Sequence, residues 1–273
     1  MYILIDIGGT KTRIVGSRDL ETFGEPVIFG TPQKYEDGLA TIVARAKEIA
    51  GTDHVDAVSL GVPGVIAVDR QGLVTQGNIP DWKGKLLGKD IGTALGGQVH
   101  MENDTALCGL GEAVFGAGRG TETIMYLTVS TGVGGARIVR GLIDSPERGA
   151  EVGYQYLTYG DPLERFSDLI SGRAITKKYG MYPRDLGKEH PVWEELARIT
   201  AIGVHNSILH WTPNRVVLGG SMFNEIGIPV ESVHEYLKKI MRALPETPEV
   251  VHAQLGDVGG IWGGLARLKQ LKA

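Results

Sequence analysis

Two glycine-rich turns contain the residues best suited to chemistry. The first, residues 6–11 (DIGGTK), combines two glycines, a hydroxyl, an ammonium and a carboxylate directly after an apolar run. Backbone N–H groups and lysine neutralise phosphate oxygens, and aspartate favours a divalent cation with its waters. The second turn, residues 130–135, is a similar candidate. Each turn alone is more often only a tight turn, and neither has the spacing of a Walker A loop or of GxGxxG.

Asp104 is a further candidate, because it stands between an apolar run that ends at Met101 and an apolar-patterned segment over residues 106–115. A carboxylate at this place either caps a helix or takes part in chemistry. Judged on the residues alone, the helix cap is the better explanation.

The elements that must position these residues follow from short apolar runs and from helical periodicity. The predicted strands are residues 2–5, 55–60, 98–101, 124–129, 137–139 and 215–218. Apolar residues at i, i+3 and i+4 predict four helices, over residues 39–49, 191–211, 230–244 and 261–271. The continuous apolar strands are typical of a sheet covered by helices on both faces, so an α/β fold is expected.

An internal repeat relates the two turns. Aligning residues 13–15 with residues 137–139 also brings Gly8 onto Gly132, an offset close to half the chain. An unrelated pair of hairpins is the alternative. The offset favours two related domains, each opening with a β-hairpin, with a cleft between them.

Composition excludes several classes of function. The 273 residues have a net charge of −4, no basic block and a single cysteine, Cys108. No nucleic-acid or membrane partner is therefore expected, and a cytoplasmic protein that acts on a small molecule is predicted. No apolar run approaches the ~20 residues that span a bilayer.

The order of several motifs resembles that of the ROK family of sugar kinases over almost the whole chain. These motifs are residues 6–11, 61–64, 78–82, 102–104, 130–135, 216–221 and 255–260. The resemblance implies an actin- and hexokinase-like α/β fold with two ribonuclease-H-like domains around a cleft. The expected domains are residues 1–104, completed by the C-terminal helix 258–273, and residues 105–257. The implied activity is transfer of the γ-phosphoryl group of ATP to a sugar hydroxyl, and a homodimer is implied as well.

The resemblance also assigns roles to individual residues. It makes Asp104 the general base that accepts the proton of the attacking hydroxyl, and it makes Asp6 a ligand of Mg²⁺ through water. The residues implied to contact the sugar are Gly64, Asn78, Asn103, Asp104, Glu151, Tyr154 and Glu164. Those implied to hold the nucleotide and its phosphates are Gly8, Gly9, Thr10, Lys11, Thr131, Gly132, Gly219 and Gly220. For Glu151 and Glu164 the alternative is solvated surface charge, and for Asn103 it is a tight turn. For Gly219 and Gly220 the alternative is a plain connection between a strand and a helix.

Two departures from the family pattern lie in the segment that recognises the sugar. Tyr154 stands where the family has histidine, and the cysteine-rich loop that usually holds a structural zinc is missing. One cysteine cannot build a thiolate-rich zinc site, so a zinc-independent protein that needs only Mg²⁺ with ATP is predicted. We expect residues 153–164 to be held instead by apolar packing of their aromatic and leucine side chains.

Three functions remain in competition. A kinase for glucose is favoured, with mannose, fructose, an N-acetylhexosamine as other substrates and polyphosphate as another donor. A non-catalytic sugar sensor is suggested by Tyr154 and the missing loop. The family also includes transcriptional repressors, but their N-terminal helix-turn-helix domain would have to precede a turn that begins at residue 6, so a repressor is not expected.

Overall fold

Strands and helices alternate along the chain, as the sequence predicts. The computed structural model describes residues 1–75, 79–144 and 149–272. The strands are β1 (Tyr2–Ile7), β2 (Lys11–Ser17), β3 (Val27–Gly30), β4 (Ala57–Val62), β5 (Gln98–Asn103), β6 (Thr123–Val129), β7 (Val133–Val139), β8 (Leu142–Ile143), β9 (Arg215–Gly219) and β10 (Glu249–His252). The α-helices are α1 (Tyr35–Ala50), α2 (Leu87–Leu95), α3 (Asp104–Val114), α4 (Phe166–Ile170), α5 (Gly172–Tyr179), α6 (Val192–Trp211), α7 (Val230–Ile240) and α8 (Gly259–Lys272).

The chain divides into two compact units. The first contains Met1–Gly111 and Val258–Ala273, and the second contains Glu112–Asp144 and Ala150–Asp257. The chain passes from the first unit to the second within α3 and returns just before α8. The predicted domain boundary between residues 104 and 105 stays a prediction.

The first unit is built on a five-stranded sheet with the order β3-β2-β1-β4-β5. Strands β1, β4 and β5 are parallel, whereas β1, β2 and β3 pair antiparallel. Ile3 and Ile5 of β1 share a hydrophobic core with Ile42 of α1. Leu4, which faces the opposite side of the strand, lies beside Gly264 of α8. Helices therefore cover both faces of this sheet, which explains the continuous apolar strands.

Glycines allow α8 to pack closely inside the first unit. A Cβ atom on Gly263 would overlap the carbonyl oxygen of Leu107 in α3, and one on Gly264 would lie 2.8 Å from Oγ of Ser59 in β4. A larger residue at Gly263 would push α8 away from α3, and one at Gly264 would push it away from the sheet. The C-terminal helix is thus fitted to the strands that carry Asp6 and Ser59.

The second unit repeats the topology of the first. Its sheet has the order β10-β9-β6-β7-β8, with β6, β9 and β10 parallel and β6, β7 and β8 antiparallel. The hairpin β6–β7 corresponds to the hairpin β1–β2. The internal repeat predicted from the sequence is therefore confirmed. The core of this unit joins the sheet to α6 and α7, and fully buried Phe166 packs against Gly203 of α6.

Differences from the predicted elements lie at their ends and edges, and the helices α2, α4 and α5 were not predicted. Helix α1 ends at Ala50, and the Gly51 that follows has a φ of 58°, which suits glycine. Helix α7 ends at Ile240, four residues before Leu244, because Met241 has an extended backbone. Met241 stays buried and Leu244 packs against the same core, so the apolar pattern continues beyond the helix. The short strands β3, β8 and β10 were not predicted. Edge strands bury few side chains, as exposed Ile28 of β3 shows, so their sequences carry little pattern of burial.

Candidate active site

The turn between β1 and β2 has a fixed backbone and two exposed polar side chains. The N–H of Gly8 donates to the carbonyl oxygen of Lys11 at 2.9 Å, which closes the turn. Thr31, just after β3, donates its hydroxyl to the carbonyl oxygen of Gly8 at 2.7 Å. The side chains of Thr10 and Lys11 are exposed, and Gly9 is half-buried. The turn can therefore offer a hydroxyl and an ammonium to an anion without rearranging.

Asp6 lies just before this turn and is 8% exposed. Its carboxylate is 3.7 Å from the guanidinium of Arg13 and lies against Gly260 of α8, where a Cβ would come within 2.9 Å of Cγ of Asp6. Among the residues that the structure describes, no three His, Cys, Asp or Glu side chains form a group that could hold a metal. One carboxylate is enough for Mg²⁺, which keeps several waters and is held largely by substrate phosphates.

Asn103, rather than Asp104, caps α3. Its Oδ1 accepts the N–H of Ala106 at 3.1 Å, and its Nδ2 donates to the carbonyl oxygen of Gly64 at 3.2 Å. Asp104 accepts the N–H of Thr105 at 2.7 Å through Oδ1. Asn103 therefore supplies the cap on Ala106, while Asp104 accepts a second N–H of the same first turn, so both roles considered for Asp104 stay predictions. The tight turn considered for Asn103 is replaced by this cap, and each polar atom of its amide has capacity for one more hydrogen bond.

An ion pair between a buried carboxylate and a partly exposed arginine adjoins this cap and was not predicted from the sequence. Glu102, 5% exposed, accepts a hydrogen bond from the Arg70 guanidinium at 2.6 Å. Glu102 belongs to the motif at residues 102–104, but nothing in that motif indicated an ionic partner for it. Its partner lies 32 residues away in the chain, so sequence patterns could not pair them.

The second unit brings the turn at residues 130–132 together with the segment after β9. The hydroxyls of Ser130 and Ser221 are 3.1 Å apart. Gly220 has a φ of 92°, and a Cβ on it would lie 2.6 Å from Oγ1 of Thr128, so only glycine fits here. Thr131 is exposed and Gly132 half-buried. The predicted nucleotide residues of this unit thus form one cluster, and their role stays a prediction.

Glu151 borders a cavity of about 460 Å³ in the second unit. The other lining residues include Gln155, Asn206, His210 and Trp211. Glu151 is accessible to solvent, but the surrounding protein partly desolvates its carboxyl group and so raises its pKa. Asn206 donates to Oε1 of Gln155 at 3.3 Å, which orders the polar floor of the cavity.

Tyr154 and Glu164 lie in the segment that follows. Tyr154 is 60% exposed, and the guanidinium of Arg165 lies 5.0 Å from the centre of its ring. Glu164 is exposed, and its N–H donates to Oγ1 of Thr158 at 2.8 Å. Both side chains are therefore accessible to a ligand, and for Glu164 the alternative of surface charge stays open.

The prediction that apolar packing holds residues 153–164 is wrong for most of its side chains. Of the five aromatic and leucine side chains in this segment, Leu157 packs against the core. The other four are exposed, namely Tyr154, Tyr156, Tyr159 and Leu163. Backbone hydrogen bonds hold the segment instead, from Leu157 N to Glu164 O at 3.0 Å and from Phe166 N to Gln155 O at 2.8 Å. Phe166, just beyond the segment, supplies the buried anchor.

The sites predicted from sequence thus form local groups within each unit. In the first unit Gly64, Asn103 and Asp104 are adjacent, and the turn at residues 8–11 follows Asp6. Asn78 lies outside the described residues. The roles of all these residues stay predictions.

Comparison with known proteins identifies the family. A sequence profile of the ROK family matches residues 2–270. This chain belongs to the ROK family. The ROK chain is 28% identical to the N-acetyl-D-glucosamine kinase of Haemophilus influenzae, with 97% of this chain and 98% of that protein covered. The resemblance stated from the motifs is confirmed.

Solved structures confirm the fold of this ROK protein. A ROK hexokinase from Thermus thermophilus matches with a TM-score of 0.82 at 27% identity, covering 100% of this chain and 99% of that one. A ROK glucokinase from Streptomyces griseus, solved with glucose and AMPPNP, matches with a TM-score of 0.80 at 23% identity, covering 98% and 99%. The H. influenzae and T. thermophilus relatives are named as sugar kinases, in agreement with the predicted enzyme class. Within the described part of the ROK chain, no helix is long and apolar enough to cross a membrane.

Proposed function

We propose that this ROK protein transfers the γ-phosphoryl group of ATP to a hexose, with the 6-hydroxyl of glucose as the first candidate and Asp104 as the general base. The observation that carries this proposal is the capping of α3 by Asn103. Because Asn103 supplies the cap on Ala106, Asp104 is not the sole side chain that holds the first turn, although its Oδ1 accepts the N–H of Thr105. A carboxylate at the end of a parallel strand, next to an ordered amide, is then suited to a proton acceptor.

In the proposed reaction Asp104 accepts the proton of the sugar hydroxyl while the hydroxyl oxygen bonds to the γ-phosphorus and the bond to ADP breaks. Phosphoryl transfer passes through a loose transition state, so positioning and charge neutralisation matter more than early proton removal. Lys11, Thr10 and the N–H groups of the first turn are suited to the phosphate oxygens. Asp6 would hold Mg²⁺ through water, and the ion would supply further neutralisation of phosphate charge.

For the sugar we propose contacts from Asn103, Glu151, Tyr154 and Glu164. Carboxylates accept hydrogen bonds from two hydroxyls at once, which suits a ligand recognised by the orientation of its hydroxyls. The Tyr154 hydroxyl donates and accepts as the family's histidine does, but it does not titrate near neutrality. Mannose, fructose and N-acetylhexosamines are the other candidates, and the H. influenzae relative is named for the last class.

We propose further that the protein is a cytoplasmic homodimer that needs Mg²⁺ and no zinc. The single cysteine supports a reducing compartment and argues against a thiolate-rich zinc site. Light scattering of the purified chain tests the dimer, and elemental analysis tests for zinc.

The test of the function is a panel of hexoses and N-acetylhexosamines, each with ATP or polyphosphate as donor and with Mg²⁺, read by coupled release of ADP or by sugar phosphate. We expect sugar-dependent ADP release, highest with glucose. Release independent of any sugar, or none with the whole panel, would overturn the proposal.

A non-catalytic sugar sensor is the second candidate, favoured by Tyr154 at the histidine position and by its high exposure. Calorimetric binding of a sugar without turnover under any donor would favour the sensor. Turnover of the same sugar would exclude it.

A further inference from the structure

We propose that the ion pair between Arg70 and Glu102 positions the turn formed by Asn103 and Asp104 for catalysis. This inference rests on the proposed function, in which Asp104 is the general base. Neither Arg70 nor Glu102 is assigned a contact with substrate. Both would act through the backbone that carries the two candidate site residues.

The geometry links the pair directly to this turn. The Arg70 guanidinium donates to Oε1 of Glu102 at 2.6 Å, and the same oxygen accepts the backbone N–H of Asn103 at 3.1 Å. Asn103 then caps α3 through Ala106. One carboxylate oxygen therefore connects Arg70 to the residue that starts the helix and immediately precedes Asp104.

Burial makes the pairing necessary. The Glu102 side chain is 7% exposed, whereas that of Arg70 is 35% exposed. A buried carboxylate that loses its cationic partner is left with a large desolvation penalty, and it responds by moving or by taking up a proton. Either response weakens the acceptor that holds the N–H of Asn103.

The loop that carries Arg70 is built to deliver this side chain. Arg70 has a φ of 56°, a left-handed conformation that is unfavourable for a non-glycine residue. The turn is closed by the N–H of Arg70 on the carbonyl oxygen of Ala67 at 2.9 Å. Its next residue, Gln71, accepts the N–H of Gly88 in α2 at 2.9 Å. A strained backbone held from two sides indicates that the position of the guanidinium, and not only its charge, is specified.

The test uses the full chain with Arg70→Met, Arg70→Lys and the double variant Arg70→Met/Glu102→Gln. Arg18→Met serves as a matched control, because Arg18 forms an ion pair with Asp53 on the surface of the same unit. The Arg18 side chain is 78% exposed and that of Asp53 is 39% exposed. Each variant is measured for melting temperature, for steady-state kinetics, and for hydrogen exchange of the backbone amides of residues 102–106. The exchange measurement needs no substrate.

Arg70→Met is expected to lower kcat by ~10–100-fold, because displacements near 1 Å at a reacting group have effects of that size, with KM for ATP changed less than twofold. Amides 103 and 106 should exchange faster while the rest of the first unit stays protected. Arg70→Lys should recover part of kcat. The double variant should have a higher kcat than Arg70→Met. Its Glu102→Gln change leaves a neutral side-chain oxygen that still accepts the N–H of Asn103, and no unpaired charge is then buried at position 102. Arg18→Met should resemble the wild type throughout.

Unchanged exchange at amides 103 and 106 in folded Arg70→Met would overturn the proposal, as would faster exchange with normal kcat. A loss of kcat that the double variant does not reduce would overturn the role of Glu102 as the link. If the wild-type chain phosphorylates no sugar, the proposed function fails, whereas the exchange data still decide whether the pair anchors the turn.

Discussion

Replacing Asn103 and Asp104 separately should divide stability from catalysis at the start of α3. Asn103→Ala removes the cap on Ala106, which costs ~1 kcal/mol, and the hydrogen bond to Gly64, which contributes about 1 kcal/mol. The free energy of unfolding should fall by ~2 kcal/mol, and the melting temperature by roughly 4–8 °C for a chain of this size. Asp104→Asn keeps an oxygen acceptor for the N–H of Thr105 and loses only a charge at the helix start, about 0.3–1 kcal/mol.

In turnover the order of the two variants should be reversed, with the larger loss in Asp104→Asn. Asp104→Asn should reduce kcat by ~10²–10⁴-fold at nearly normal affinity for the sugar, since an amide accepts no proton. Thermal unfolding and steady-state kinetics on one preparation of each variant provide the measurement. If Asp104→Asn melts as low as Asn103→Ala and keeps near-normal kcat, Asp104 is a structural residue and the reasoning is refuted.

Three further predictions concern two carboxyl groups and the metal. Glu112→Ala should lower the free energy of unfolding by at least about 3 kcal/mol, because this carboxylate, 2% exposed, accepts the N–H groups of Ala117, Gln254 and Leu255. Chemical denaturation measures the loss, and a loss under about 1 kcal/mol would contradict the prediction. Glu151→Gln should be more stable than the wild type at pH 7. Because the pKa of Glu151 is raised in the folded protein, folding disfavours its ionised form, and the wild type loses stability as pH rises through that raised pKa. The melting temperatures of the two proteins should therefore converge below about pH 4. A chelator should abolish activity while the melting temperature of the ATP-free protein stays constant, and a large drop in melting temperature would reveal a structural metal.

The topology was accessible from the sequence because its evidence is local. Each hairpin has its own glycine-rich turn between apolar strands, and the offset between Gly8 and Gly132 is repeated by whole five-stranded sheets. The ends of elements were less accessible. Apolar residues such as Met241 and Leu244 serve the core whether or not the backbone is helical, so periodicity overran the end of α7.

The candidate site was predicted at the level of residues but not of their partners. The sequence favoured Asp104 as the helix cap when taken without family resemblance, whereas Asn103 makes that contact. Glu102 and Glu112 were not singled out, because their partners include residues 32 and 142 positions away. Burial of a charge depends on such distant pairing, and a single sequence without its fold carries no signal for it.

The packing of residues 153–164 shows a different limit. Five large side chains there predicted a buried cluster, but the segment is held by backbone hydrogen bonds, and its three tyrosines and Leu163 are exposed. Composition indicates which side chains can be buried, and only the surrounding structure decides which of them are covered.

The most direct test of the central claim is ³¹P NMR of ATP, Mg²⁺ and glucose with the wild-type chain and with Asp104→Asn at equal concentration. We predict that the wild type forms glucose 6-phosphate and ADP in equal amounts, and that the variant forms both at least ~100-fold more slowly. Equal rates for the two proteins would contradict the assignment of Asp104. The absence of any sugar phosphate, with glucose and with every other candidate sugar, would contradict the proposed function itself.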